Sequence, residues 1–435
     1  MKFKGSAPGR LDVMGGVSDY SGALVLQMPL QEKTEVCLEE TGNNLVQINT
    51  FQKGKLFGKF EAEWSDLQKL IFLPEQFRKK VKSIDGGNWA IYPLACIAVL
   101  IQERKISVSS LIIEINSNVP LGKGVSSSAA IEVATIRAIG QWKNLRFEGT
   151  ELAILAQKAE NIYVGAPCGL MDQLASCFGE TKKLLPILCQ PDKISEAITI
   201  PDGMEFFGID SGIKHQVTGA SYGDVRTASA MGYSIIANHL GISASELKEC
   251  KINNAKSRLP FKGYLANICL SEFFTNFYSL IPERISGRDF IENYKETIDP
   301  LATIDPNIEY KTRICTWHPV AENNRTNTFK LLLQYANIEK EKSIKNQIYA
   351  QMGELMFQSH ASYSACGLGH SNTDRLVEMV RERLGQGVYG AKITGGGSGG
   401  TVCLLAEGEL GLQTVNQIHQ KYMEETGKEV LLIKP

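Results

Sequence analysis

No stretch of this 435-residue sequence is apolar for long enough to cross a bilayer, since a membrane helix needs about 20 such residues in a row. The opening MKFKGSAPGR also lacks the apolar core of a secretory signal. A cytoplasmic protein with no membrane partner is therefore expected. Neither sign of charge is in surplus. Lys and Arg number 46 against 47 Asp and Glu, and no block of like charge is long enough to make a nucleic-acid arm. The 10 cysteines include no C-x-x-C pair and are scattered from Cys37 to Cys403. That spacing speaks against a zinc site or a disulfide framework and for reduced thiols in a core. Repeats and low-complexity tracts are absent as well.

What is present is enough chain for two cores, because single domains stop growing at about 250–300 residues. With no other break in composition, the boundary is expected near 195–203, around ITIPDGM, giving domains 1–195 and 196–435. SLIIEINSNVP (110–120) is rich in branched apolar residues and ends in turn formers, as a buried strand does. It runs into LGKGVSSSAAIEVATIRAIG, where Ala130, Val133, Ala134 and Ala138 recur at helical spacing. A strand thus feeds a glycine-serine loop that opens a helix. ELAILAQKAENIYVG (151–165) predicts a second helix that stops at Gly165. The stretch 240–330 mixes aromatics with prolines and is expected to be an irregular insertion. GAKITGGGSGGTVCLL (390–405) sets five glycines between two short strands, which suits close approach of backbone to a ligand or to other backbone.

Several residues invite a chemical reading, and each has a plain alternative. PLGKGVSSSAA (120–130) does not fit the order of a Walker loop. Backbone N–H groups at a helix start still attract anions, and serine hydroxyls reach phosphate or a phosphate-bound Mg²⁺; an ordinary serine N-cap explains the same residues. Glu160 stands one turn after Ala156, at the edge of an apolar face, where a carboxylate needs a partner or a metal. It could equally be a border salt bridge. Asp172 lies in an uncharged, glycine-broken stretch and reads either as an N-cap or as a base. Arg10 and Asp19 also suit a surface ion pair or turn, and the loop 395–400 suits a tight strand connection.

Taken together and in order, APGRLDVMGGVSDYSG, PLGKGVSSSAA and ITGGGSGGTV resemble the three motifs of the GHMP small-molecule kinases. VGAPCGLMDQ and GIDSGIKHQVTGASYGDVR are similar to segments of the galactokinase branch, and YSACGLG adds a likeness to the kinase domain of the L-arabinokinases. The resemblance implies an α+β, two-domain GHMP kinase fold, with a ribosomal protein S5 domain 2-like N-terminal domain and a ferredoxin-like C-terminal domain. It also implies an ATP-dependent, Mg²⁺-dependent phosphotransferase that phosphorylates the anomeric hydroxyl of a galacto-configured sugar.

Carried over residue by residue, the resemblance implies that Pro120, Gly122, Lys123, Gly124, Ser126, Ser127, Ser128 and Ala129 cradle the ATP phosphates. Gly395, Gly396, Gly397 and Gly399 would close on them from the second domain. Ser127 and Glu160 would hold Mg²⁺, which favours hard oxygen ligands. Asp172 would face the anomeric hydroxyl, with Arg10 keeping it ionised and stabilising charge in transfer. Whether Asp172 is a base or an orienting group stays open. Asp19 and Tyr222 fall where galactokinases contact sugar hydroxyls, and Trp89 is expected in the core. Some relatives only sense sugar, having lost part of the serine-alanine loop; here Ser128-Ala129, Asp172 and Arg10 are intact.

The pair Gly16-Val17 departs from the galactokinase pattern. There the aligned residues are a glutamate, which receives the 6-hydroxyl of galactose, and a histidine. L-arabinopyranose is D-galactopyranose without the C6 hydroxymethyl group, so a site for it needs no acceptor there. L-arabinose, giving L-arabinose 1-phosphate, is the first expectation. Galactose remains an alternative, and so does galacturonate, for which Lys214 would supply the cation.

Overall fold

The computed structural model describes residues 1–434 apart from 53, 167, 191 and 214–221, so Lys214 lies outside the described residues. The chain folds into two compact units. The first comprises 1–10, 29–121 and 125–181, and the second 11–28, 122–124 and 182–435. The division therefore falls at 181, not near 195, and the second unit reclaims two earlier pieces. Ladder pairing gives the reason. Leu24–Gln27 pairs antiparallel with Leu188–Leu185, which commits the strand Lys183–Cys189 to the second unit. The Asp12 N–H donates to Thr394 Oγ1 at 2.8 Å and the Leu24 N–H to Asn323 Oδ1 at 2.9 Å, which draws 11–28 there too.

In the first unit the predicted strand is Leu111–Ser117, with Leu111, Ile113, Ile115 and Ser117 inward. It runs parallel to Leu45–Gln52 and antiparallel to Thr34–Glu40, and Lys55–Glu63 extends the ladder. The helix Gly87–Arg104 is apolar on nearly every side and is buried from Ala90 to Leu100 save Tyr92, as a helix inside a core must be. Trp89 packs half-buried against that core, as expected. The helix Ser127–Lys143 starts where the loop predicts. The next one is α-helical over Glu151–Lys158, widens into a π turn over Ala159–Val164, and ends at a left-handed Gly165.

In the second unit, strands Val388–Ile393, Thr401–Glu407, Met204–Asp210 and Leu432–Ile433 form one antiparallel sheet in that spatial order. With the intervening helices, the chain order is βαββαβ and the spatial order 2-3-1-4, the ferredoxin-like arrangement. The helices Lys342–Cys366, Ser371–Arg381 and Gly408–Thr426 belong to this unit. The stretch 240–330 is irregular only up to 311, with short helices at Ala244–Ile252 and Gly287–Asn293. Thr312–Ile338 is a 27-residue helix that contains Pro319. An interior proline costs about 3 kcal/mol; here burial of Cys315, Val320, Phe329 and Leu333 on the same helix offsets it. Among the described residues, no helix is long and apolar enough to cross a membrane.

Candidate active site

Arg10 ends the first short segment of unit one, and its side chain is 3% exposed. Its Nε donates to Asp172 Oδ1 and its Nη2 to Asp172 Oδ2, both at 2.9 Å. Asp172, the second residue of the helix Met171–Phe178, keeps 22% of its side chain open. Ser126 occupies the N-cap position of the helix Ser127–Lys143, yet its hydroxyl does not cap it. That hydroxyl donates instead to Asp172 Oδ2. The serine N-cap reading is thereby replaced by a tie between the glycine-serine loop and Asp172. Three donors clamp the carboxylate in one orientation, and Oδ1 retains capacity to accept from a hydroxyl.

Glu160 sits on the π turn and is buried; such turns are frequent at functional positions. Among the described residues it makes no border salt bridge. Its Oε2 accepts Gln173 Nε2 at 2.8 Å and the Cys168 thiol at 3.4 Å, and the hydroxyl that meets it is that of Ser128. Gln173 Nε2 also donates to Glu132 Oε2 at 3.1 Å. Burial, and then the charge of Asp172, push Glu160 up to about 7, against the hydrogen bonds from Cys168, Ser128 and Gln173. Burial, and then Glu160, push Glu132 well above the carboxylate range. Glu132 Oε1 and Gln173 Oε1 are buried and meet no hydrogen-bond donor among the described residues.

Two buried carboxylates sharing one amide fit a divalent cation, because a cation would relieve both their repulsion and their lost hydration. No cluster of three or more His, Cys, Asp or Glu among the described residues forms a complete metal cage. The protein would thus supply part of a Mg²⁺ shell and leave the rest to phosphate and water. Glu132 and Gln173 escaped the sequence reading. The available signal was a lone carboxylate in the apolar run Ala129–Ile136.

In unit two, the segment after Leu11 is held from beneath by buried polar groups. Asp12 Oδ2 is 2.9 Å from the Lys392 ammonium, both fully buried, and Asp12 Oδ1 accepts Gln27 Nε2 at 2.8 Å. The Gly15 N–H donates to Glu322 Oε1 at 3.2 Å. The Gly16 carbonyl, which can only accept, lies 3.2 Å from His318 Nε2, while Nδ1 is 2.7 Å from Ser362 Oγ. His318 therefore carries its proton on Nε2. Burial, chiefly, lowers its pKa to about 4. A Cβ on Gly16 would overlap Tyr363 Oη and Asp12 Oδ2, so only glycine fits there. Val17 has φ +58°, and its side chain is buried in the core of this unit. Neither residue offers a polar side-chain group.

Asp19 is buried in the turn Asp19–Ser21, and Tyr222 Oη donates to its Oδ1 at 3.4 Å. Arg226, bound to Asp299 by Nε and Nη2, lies 5.5 Å over the Tyr20 ring. The predicted contacts Asp19 and Tyr222 are thus brought together. Of the nucleotide-loop residues, Pro120 and Ala129 are buried, and Gly122 and Gly124 have positive φ. Lys123 reaches Asp210. In the second glycine loop, Gly395, Gly397 and Gly399 have positive φ. The Gly395 carbonyl accepts from Tyr363 Oη at 3.1 Å, and the Ser398 N–H donates to the Leu368 carbonyl.

A fold of this kind, carrying an acid-arginine pair beside a glycine-serine loop, defines a class. Residues 92–180 match the GHMP kinases N terminal domain and residues 341–424 the GHMP kinases C terminal domain. The chain thus carries the two GHMP kinase domain signatures, and it is similar to proteins of galactokinase and L-arabinokinase type. It is 37% identical to L-arabinokinase of Arabidopsis thaliana over 98% of its own length and spans 45% of that protein. It is 28% identical to galactokinase of Chloroflexus aggregans, covering 97% of this chain and 88% of that one. Among solved structures, Lactococcus lactis galactokinase complexed with galactose superposes with a TM-score of 0.72 at 20% identity, covering 100% of this chain and 93% of the other. A mevalonate kinase does so with 0.53 at 15% identity, covering 100% and 98%.

Proposed function

We propose that the protein transfers the γ-phosphoryl group of ATP to the anomeric hydroxyl of a galacto-configured sugar, and that the sugar is L-arabinose. The observation that carries the reading is the clamp on Asp172, set by Arg10 and Ser126. The anomeric hydroxyl donates to Asp172 Oδ1, which aims its oxygen along the line of attack. The new O–P bond forms as the bond from the γ-phosphorus to ADP breaks, the hydroxyl proton passes to Asp172 Oδ1, and Arg10 steadies the negative charge that builds up. Ser126, Ser127 and Ser128, with the backbone from Pro120 to Ala129, bind the phosphates, and the loop Gly395–Gly399 of the second unit is a further phosphate-binding segment. Glu160, with Ser127 as hydroxyl partner, would hold Mg²⁺, and Glu132, which shares the Gln173 amide with Glu160, would add a second carboxylate. When bound, the metal supplies charge neutralisation at the phosphates.

Asp19 and Tyr222 receive the sugar hydroxyls. L-arabinose is preferred because Gly16 and Val17 offer no side-chain acceptor for a 6-hydroxyl, and the Gly16 carbonyl already accepts from His318. A buried hydroxyl without a partner costs about 1–3 kcal/mol, equal to about tenfold or more in kcat/KM. The test is a kinase assay with ATP and Mg²⁺ across L-arabinose, D-galactose and D-galacturonate. The expected outcome is L-arabinose first by at least about tenfold. A preference for either other sugar overturns the pentose reading, and binding of ATP and sugar without turnover overturns the kinase.

A further inference from the structure

Lys123 lies in the middle of the loop PLGKGV, between two glycines with φ of +68° and +73°. Its ammonium is 2.7 Å from Asp210 Oδ2, with side chains 22% and 2% exposed. Asp210 closes the strand Met204–Asp210, and its other oxygen accepts the Gly212 N–H at 2.9 Å. The carbonyl of Lys123 is held as well: it accepts from the Thr401 hydroxyl at 2.8 Å. Thr401 is the register partner of Asp210 on the neighbouring strand. Beside it, Gly400 passes so near that a Cβ would lie 3.1 Å from the Lys123 carbonyl oxygen. Backbone and side chain of one lysine are therefore fastened to two paired residues of one sheet.

We infer that Lys123 is a positioning residue that sets the glycine turn 122–124 on the sheet through Asp210 and Thr401, and does not give its ammonium to the nucleotide. The inference rests on reading this loop as the ATP phosphate loop. Glycines on both sides make the turn costly to order, and a tie between them orders it before ATP arrives, which is where preorganisation gains affinity. A lysine serving as a point charge for phosphate would instead compete with Asp210 for its own ammonium. The two roles differ in sign at Asp210.

Calorimetric titration of ATP, with KM values for ATP and sugar, separates them. Asp210→Asn keeps the shape and the acceptor for Gly212 but weakens the tie, as Lys123→Met does. Each is expected to weaken ATP binding about tenfold, the scale of one charge-assisted hydrogen bond. The double variant should be no worse than the single ones, and the KM for sugar should stay unchanged. Thr401→Val, which removes no charge, should weaken ATP binding in the same direction. Tighter ATP binding in Asp210→Asn, or unchanged binding in Thr401→Val, overturns the positioning role. A parent protein that binds no ATP overturns the phosphate-loop reading instead. Should Asp210→Asn fail to fold in a thermal melt, Thr401→Val and Lys123→Met still decide the question.

Discussion

Asp172 shares two oxygens among three donors, and its isosteric amide would turn an NH₂ group against the Arg10 guanidinium. Asp172→Asn is expected to lower kcat by about 10²–10⁴-fold, the usual range for a positioned acid or base. Calorimetric ATP binding should stay close to that of the parent; activity within a few-fold would remove Asp172 from the chemistry. At Gly16 the prediction concerns stability. A Cβ there overlaps both Tyr363 Oη and Asp12 Oδ2, so Gly16→Ala should cost about 1–3 kcal/mol, as overpacking does, read from the denaturant midpoint. In a Tyr363→Phe background one of the two overlaps disappears, and the cost should shrink. An alanine variant as stable as the parent would show that the turn relaxes freely. The pair found in galactokinases, Gly16→Glu with Val17→His, cannot be seated on this backbone unchanged. Sugar choice is therefore tested with sugars and not with that exchange.

The π turn Ala159–Val164 illustrates how an element carries a charge into a core. A straight helix is predicted over 151–165 from Leu152, Leu155, Ala156 and Ala159, and both its existence and its glycine stop are legible. The widening at Ala159 is not, because no residue type encodes a π turn as glycine encodes a left-handed end. Yet the turn puts Glu160 beside Gln173 and Ser128. Its consequence is a pH dependence whose sign follows from the raised pKa. Glu160 titrates at about 7 in the folded protein, against about 4.3 for a free glutamate. Ionising it opposes folding, so stability falls as pH rises through that interval and levels off above 7. The whole loss is about 4 kcal/mol at 1.36 kcal/mol per pH unit. Glu160→Gln should accordingly raise the melting temperature of the metal-free protein at pH 8 and leave it nearly unchanged at pH 4. The same variant should weaken the dependence of turnover on Mg²⁺. A melting temperature at pH 8 that does not rise would mean that Glu160 is better compensated than its surroundings suggest.

At the scale of the whole molecule, local chemistry and distant pairing divide the account. The sequence by itself determined the strand Leu111–Ser117, the loop that opens the helix at Ser127, the glycine stop at Gly165 and the glycine connection after Ile393. Each follows from periodicity or from backbone freedom within about ten residues of chain. The order of the motifs also indicated the family, and with it the candidates Arg10, Asp19, Glu160, Asp172 and Tyr222. The tertiary structure alone decided what those residues touch. Arg10 and Asp172 are 162 positions apart, and Asp12 and Lys392 are 380 apart; no period in a sequence spans such distances. It also decided that 312–338 is one helix despite Pro319, because burial outweighs the lost backbone bond. Gly16 marks the division most sharply. As a letter it signals the absence of an acceptor, whereas in the folded chain it is the one residue that leaves room for a buried Asp12–Lys392 pair and the hydroxyl of Tyr363.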